Sequence, residues 1–228
     1  MLTPHAPNLW SATHHFSVSG LPLTSRMTVV RLSDGGLWLH SPVPIDAALQ
    51  AELKELGEVR FIVAPNKMHY LFAGACAALY PQAQLLGAPG LRTKRPELAQ
   101  LHKLQDLPTP GTAPWCPELD HLVFEGIPLA NETDWFHAPS STLILTDLCQ
   151  WMQGELALPT LLYAKLTGVR QRLNVPRTVR LLVRDKAAAR TSAAKLLQWP
   201  IQRVVVAHNA VLETDAKAQL AQALQVLG

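Results

Sequence analysis

Several apolar stretches of this sequence run directly into a residue that can hold a metal ion or move a proton. "GLWLH" ends at His40, "RFIVAPNKMH" ends with Asn66 and His69, "TLILTD" ends at Asp147, and "RVVVAH" ends at His208. His137 opens the stretch that leads to Asp147. Imidazoles combined with a carboxylate suit zinc, iron or manganese. Ligands in α/β proteins gather beyond the carboxyl ends of strands, so these side chains are expected to converge. Each residue taken singly also has an ordinary structural role open to it. A histidine at a strand end can be a hydrogen-bonded structural group, Asp147 can cap a following helix, and Asn66 after Pro65 can shape a turn. It is the coincidence of such ends that points to a site.

The elements that must position these residues alternate between strand and helix. The first sixty residues read as β-structure, with "SDGG" as a turn and "LWLHSP" as a short strand stopped by Pro42 and Pro44. Asp46 then predicts a helix N-cap, Leu49, Leu53 and Leu56 fall on one face, and Gly57 ends the helix. "VRFIVA" is a continuous apolar strand of the kind covered on both faces. "HYLFAGACAALY" predicts a helix beginning at the polar turn, and "QAQLLGA" another strand. The proline-rich segment from Leu104 to Asp120 reads as a surface connection bordering an active site. "LDHLVFEGI" and "WFHAPSSTLILTDL" follow, the second as a hairpin, and then an apolar helical insertion at about 150–175. "TVRLLVR" is read as a strand segment, residues 187–198 as a helix, "QRVVVAH" as a strand, and the end as a helix opened by Asp215. This order predicts an αββα sandwich, two mixed sheets with outer helices, in one domain over residues 1–228.

Composition narrows the function classes. Hydrophobic residues make up 48% of the chain and charged residues 16%, enough for a sizeable core and too few charges for long disordered tails. The net charge of +3 is spread along the chain, so nucleic acid is not an expected partner. Three cysteines without CxxC spacing predict a reduced, cytoplasmic protein rather than a disulfide framework. No apolar run reaches the roughly 18 residues of a membrane-spanning helix, so no membrane partner is expected either.

The block order, with "PNKMH", "HAPSSTLILTD" and "VVVAHN", resembles the metallo-β-lactamase superfamily. It is most similar to a domain family of unknown function within that superfamily, marked by a "PN..H" turn and an "H.PS.TLI.TD" strand. The resemblance runs from about residue 8 to the end. Superfamily members carry an HxHxDH turn, a histidine ahead of a later hairpin, a bridging aspartate, and a last histidine. His137 matches the hairpin histidine, Asp147 the aspartate and His208 the last histidine. Where the family has HxHxDH this chain has "NKMHYL", in which only His69 is a good ligand. The resemblance therefore implies a degenerate site holding one zinc or iron ion at most, or none. Its ligands would come from His69, His137, Asp147 and His208, with Asn66 and His69 as catalytic residues.

The function so implied is a hydrolase of unassigned small-molecule substrate. The alternatives are a non-catalytic binding protein that keeps the fold and an iron-dependent oxidoreductase. The apolar excess of the insertion (Trp151, Leu161, Leu162, Tyr163 and Leu166) predicts either a cover for the pocket, a homodimer contact, or a helix pair packed into its own core.

Overall fold

Asp46 closes the first turn of α1 (Ala47–Leu56), its Oδ1 accepting the Leu49 amide at 2.8 Å, and the Gly57 amide returns to the Leu53 carbonyl. The cap and the buried Leu49 and Leu53 are those anticipated from sequence. This helix lies against β5 (Glu58–Ala64) in the computed structural model, which describes residues 1–18 and 20–227. The chain forms two compact units, one of Met1–His14 and Arg26–Glu118, the other of His15–Ser25 and Leu119–Gly228.

The first unit is built on a seven-stranded sheet whose order follows the chain: β1 (Thr3–Ala6), β2 (Leu9–Val18), β3 (Leu21–Arg31), β4 (Gly36–His40), β5, β6 (Gln84–Gly87) and β7 (Gln105–Asp106). β3 and β4 pair antiparallel, whereas β4 to β7 run parallel, so the sheet is mixed. "VRFIVA" is an interior strand, with Phe61, Ile62, Val63 and Ala64 buried. Helices α1, α2 (Ala73–Leu79), α3 (Leu91–Lys94) and α4 (Pro96–His102) flank the sheet. A core of Met27, Leu39, Leu53, Ile62, Leu85 and neighbouring apolar residues holds them. The helix expected to begin at the polar turn starts at Ala73, so His69 belongs to the turn and not to a helix terminus.

The second unit has a five-stranded sheet in the order β12 (Val211–Leu212), β11 (Arg203–Val206), β10 (Thr142–Leu145), β9 (Thr133–His137) and β8 (Leu119–Val123). Only β10 and β11 run parallel. Phe136, Leu143, Leu145, Val204 and Val206 meet Leu196 of α7 (Lys186–Leu196) and Leu220 of α8 (Ala216–Leu224) in its core. The insertion yields a single helix, α5 (Leu158–Thr167), flanked by extended chain. "TVRLLVR" is not a strand. Its first residues belong to α6 (Arg177–Leu181), because Pro176 sets the entry and short-range bonds such as Arg180 N to the Pro176 carbonyl close the turn. Two mixed sheets flanked by helices are the α/β class expected from the sequence.

Candidate metal centre

β10 and β11 are parallel neighbours, paired Leu145 with Val206, so the residues leaving their carboxyl ends emerge together. Asp147 leaves one end and His208 the other, and His208 Nε2 lies 3.1 Å from Asp147 Oδ1. The second ring nitrogen, Nδ1, lies 2.6 Å from the Thr24 carbonyl oxygen. A carbonyl only accepts, so Nδ1 carries a proton and donates. In a neutral ring Nε2 would then present a lone pair to a carboxylate, which repels it. The contact therefore requires a cation between the two groups, either a proton or a metal ion.

Electrostatics agrees with that requirement. Burial opposes a charged imidazole, but the hydrogen bond and charge of Asp147, the Thr24 carbonyl and Glu132 outweigh it. His208 consequently holds a proton to higher pH than an ordinary histidine. A histidine whose outer nitrogen is fixed by a backbone carbonyl while the inner one faces a carboxylate is the arrangement that prepares imidazole for a metal.

Asp147 is itself held by a residue the sequence reading did not single out. Glu132 precedes β9 and is 3% exposed. Its Oε1 accepts the Thr146 amide at 2.6 Å, and its Oε2 accepts those of Asp147 and Leu148, each at 2.8 Å. Burial and then the neighbouring Glu132 raise the Asp134 carboxyl well above the usual carboxylate range. Both Glu132 oxygens already receive amide protons, so Asp134 is the member of this acidic pair that keeps its own proton. The available signal was the pair of acids in "NETD", Glu132 just before β9 and Asp134 inside it.

His137 is not brought to this centre. It pairs with Thr142 across the hairpin, and Asp147 lies five residues further along. At ~3.4 Å per residue that separation is about 17 Å. Its Nδ1 meets Ser140 Oγ at 2.7 Å, and Ser140 Oγ in turn donates to Thr142 Oγ1 at 2.8 Å. His137 thus ties the hairpin turn, at the opposite end of β9 and β10 from Asp147.

The other candidates lie in the first unit. Asn66 is fully buried, and its Oδ1 accepts the amides of Met68 and His69, each at 2.7 Å. That oxygen shapes the turn. The half-buried His69 meets Ser41 Oγ at 2.7 Å through Nδ1. His40 stacks on Trp38 at 5.4 Å, and burial, with His69 adding to it, pushes its pKa down to about 3. A ring this resistant to protonation is neutral throughout the physiological range.

The family model "Domain of unknown function (DUF4336)" matches residues 7–161, more than half of the sequence. The chain belongs to this family. The DUF4336 match takes in Asn66, His69, Glu132 and Asp147 and ends within α5. No curated protein matches the sequence. Among solved structures, a metallo-β-lactamase from Pontibacter korlensis matches at a TM-score of 0.68 and 14% identity, over 99% of this chain and 98% of that one. The mono-zinc form of FIM-1 from Pseudomonas aeruginosa matches at 0.67 and 11%, over 99% and 95%. The Flv1 flavodiiron core from Synechocystis matches at 0.69 and 11%, over the whole of this chain and 60% of that one. The fold of this DUF4336 protein is therefore the metallo-β-lactamase fold. Among the described residues, no helix is long and apolar enough to cross a membrane.

Proposed function

We propose that this chain is a metal-dependent hydrolase with a single ion, for which Asp147 and His208 are ligands. The observation that carries the proposal is the Asp147–His208 contact, with Nε2 facing the carboxylate and Nδ1 held by the Thr24 carbonyl. Imidazole and carboxylate together suit zinc or non-haem iron. A bound ion supplies Lewis acidity that makes hydroxide available near neutral pH. The protein's own part is orientation: Thr24 fixes the ring of His208 and Glu132 fixes the backbone at Asp147. The site takes one ion rather than two because "NKMHYL" offers His69 alone among good ligands. The substrate in this reading is a small molecule.

A second reading, an iron-dependent oxidoreductase, draws support from the likeness to a flavodiiron core. One measurement separates the two. Elemental analysis of protein purified without chelator is expected to give one ion per chain, and alanine at His208 or Asp147 is expected to remove it. Zinc favours the hydrolase and iron the oxidoreductase. Absence of metal after both ions are offered would overturn both readings in favour of a binding protein.

A further inference from the structure

α5 faces the wrong way for an ordinary surface helix. It buries Thr160, Ala164 and Thr167 and leaves three leucines outside: Leu158 is 67% exposed, Leu162 50% and Leu166 70%. The spacing i, i+4, i+8 sets them in one row along the helix. The helix is firmly seated by its small and polar face. Thr160 Oγ1 donates to the Pro22 carbonyl at 2.5 Å, and Ala164 packs with Met152 and Val169. The leucine row is therefore not a core face waiting to turn inward. Leu181 of α6, which packs against α5, adds a fourth leucine that is 78% exposed.

The charge along this segment is mostly positive, with Glu155 and Asp185 at its two ends. From Leu156 to Arg184 the sequence holds Lys165, Arg170, Arg172, Arg177, Arg180 and Arg184 and no carboxylate. Arg177 Nη1 donates to the Leu166 carbonyl at 3.2 Å, which puts a guanidinium at the end of the row. Burial, then the nearby Arg177 and Arg172, lower the pKa of Arg180, so these three cations share one neighbourhood.

We propose that this leucine row with its arginine border docks on an anionic lipid surface. Apolar side chains on one side of a helix with Lys and Arg beside them are the pattern that seats a helix at a bilayer interface. Charge decides against a second copy, because a two-fold contact through this face would bring its cations together. The leucines decide against nucleic acid, since a phosphate backbone offers them nothing to bury against. They also stand on the convex surface of a single helix. A bilayer accepts such protruding side chains directly, whereas a protein partner must supply a matching groove. The contact is peripheral and independent of any metal, and it departs from the expectation of no membrane partner, which concerned spanning segments.

The test is flotation of the full chain with vesicles of phosphatidylcholine alone and with phosphatidylserine added. The protein is expected to float only with the anionic vesicles and to be released as salt is raised. Lys165→Gln with Arg172→Gln is expected to weaken binding roughly thirtyfold, at the usual contribution of one cation near an anionic surface. Leu162→Gln with Leu166→Gln is expected to weaken it at least about tenfold, with thermal melting unchanged because both positions are exposed. No flotation, equal flotation on both vesicles, or a leucine variant that floats like the parent would overturn the proposal. So would a dimer in light scattering that the leucine variant turns into a monomer, which gives the face to a second copy. Retention on immobilised polyglutamate or a duplex oligonucleotide, undiminished in the leucine variant, would transfer it to an acidic protein or to nucleic acid.

Discussion

Replacing Glu132 should be among the most damaging single changes near the candidate centre. Its carboxylate accepts three backbone amides in succession, from Thr146, Asp147 and Leu148. A hydrogen bond to a charged group contributes about 1.5–3 kcal/mol net, and a buried amide left without a partner costs about 1–3 kcal/mol. Glu132→Gln keeps one oxygen. If that oxygen stays with Asp147 and Leu148, the new amide group points a donor at the Thr146 donor, so the loss is about 2–3 kcal/mol. Glu132→Ala orphans all three amides. Water reaching the half-buried Asp147 offsets part of that, for a loss of about 4–5 kcal/mol. Either is a large fraction of the usual 5–15 kcal/mol of domain stability. Urea unfolding gives the size of the loss, and hydrogen exchange in a peptide spanning residues 143–150 gives its place: the three amides should be protected in the parent and exchange freely in Glu132→Ala. Variants within about 0.5 kcal/mol of the parent, with those amides still protected, would refute the assignment of Glu132 as the anchor of the Asp147 segment.

Two further outcomes follow from buried polar groups in the first unit. His40 binds a proton at its ordinary 6.5 in the unfolded chain but only at about 3 when folded, so its stability contribution is complete above 6.5 and is lost as pH falls toward 3. Between pH 7 and pH 5 this residue should cost about 2 kcal/mol in urea unfolding, and His40→Phe should flatten that slope; an unchanged slope would remove His40 as the cause. Asn66→Ala frees the amides of Met68 and His69, and a destabilisation of about 1–2 kcal/mol is expected, whereas an effect under a few tenths would mean that the turn holds its shape without the side chain.

The legible parts of this fold were those set by local chemistry. Asp46, the row Leu49–Leu53–Leu56 and Gly57 describe a helix with both of its ends, and neighbouring chain does not change that. "VRFIVA", "TLILTD" and "RVVVAH" read as interior strands because a continuous apolar run has no solvent-tolerant face. The pairing of Asp147 with His208 was legible for the same reason, since both leave such strands at their carboxyl ends. Register was not legible. His137 stands in the right order along the chain, but antiparallel pairing with Thr142 carries it to the far end of the hairpin. Glu132 was missed by the same ignorance of register, which hides that the beginning of β9 meets the end of β10. "TVRLLVR" misled because a short, mostly apolar run satisfies both a short strand and a single helical turn, and only the entry at Pro176 and its neighbours decide.

The Thr24 carbonyl that holds His208 lies 184 residues before it in the chain and belongs to the hairpin segment His15–Ser25, which clusters with the second unit. That arrangement dictates when the centre can exist. On the ribosome, Thr24 is made 184 residues before His208, so the imidazole finds its orienting carbonyl only after that whole stretch has been synthesised. A nascent chain arrested before His208 has Asp147 without its partner and cannot assemble the Asp147–His208 pair. The same separation governs dissection of the protein. A fragment starting at Leu119 contains both Asp147 and His208 yet lacks the Thr24 carbonyl that fixes the ring, so the imidazole should be less ordered than in the intact chain, and adding residues 15–25 as a separate peptide is the natural way to supply that group.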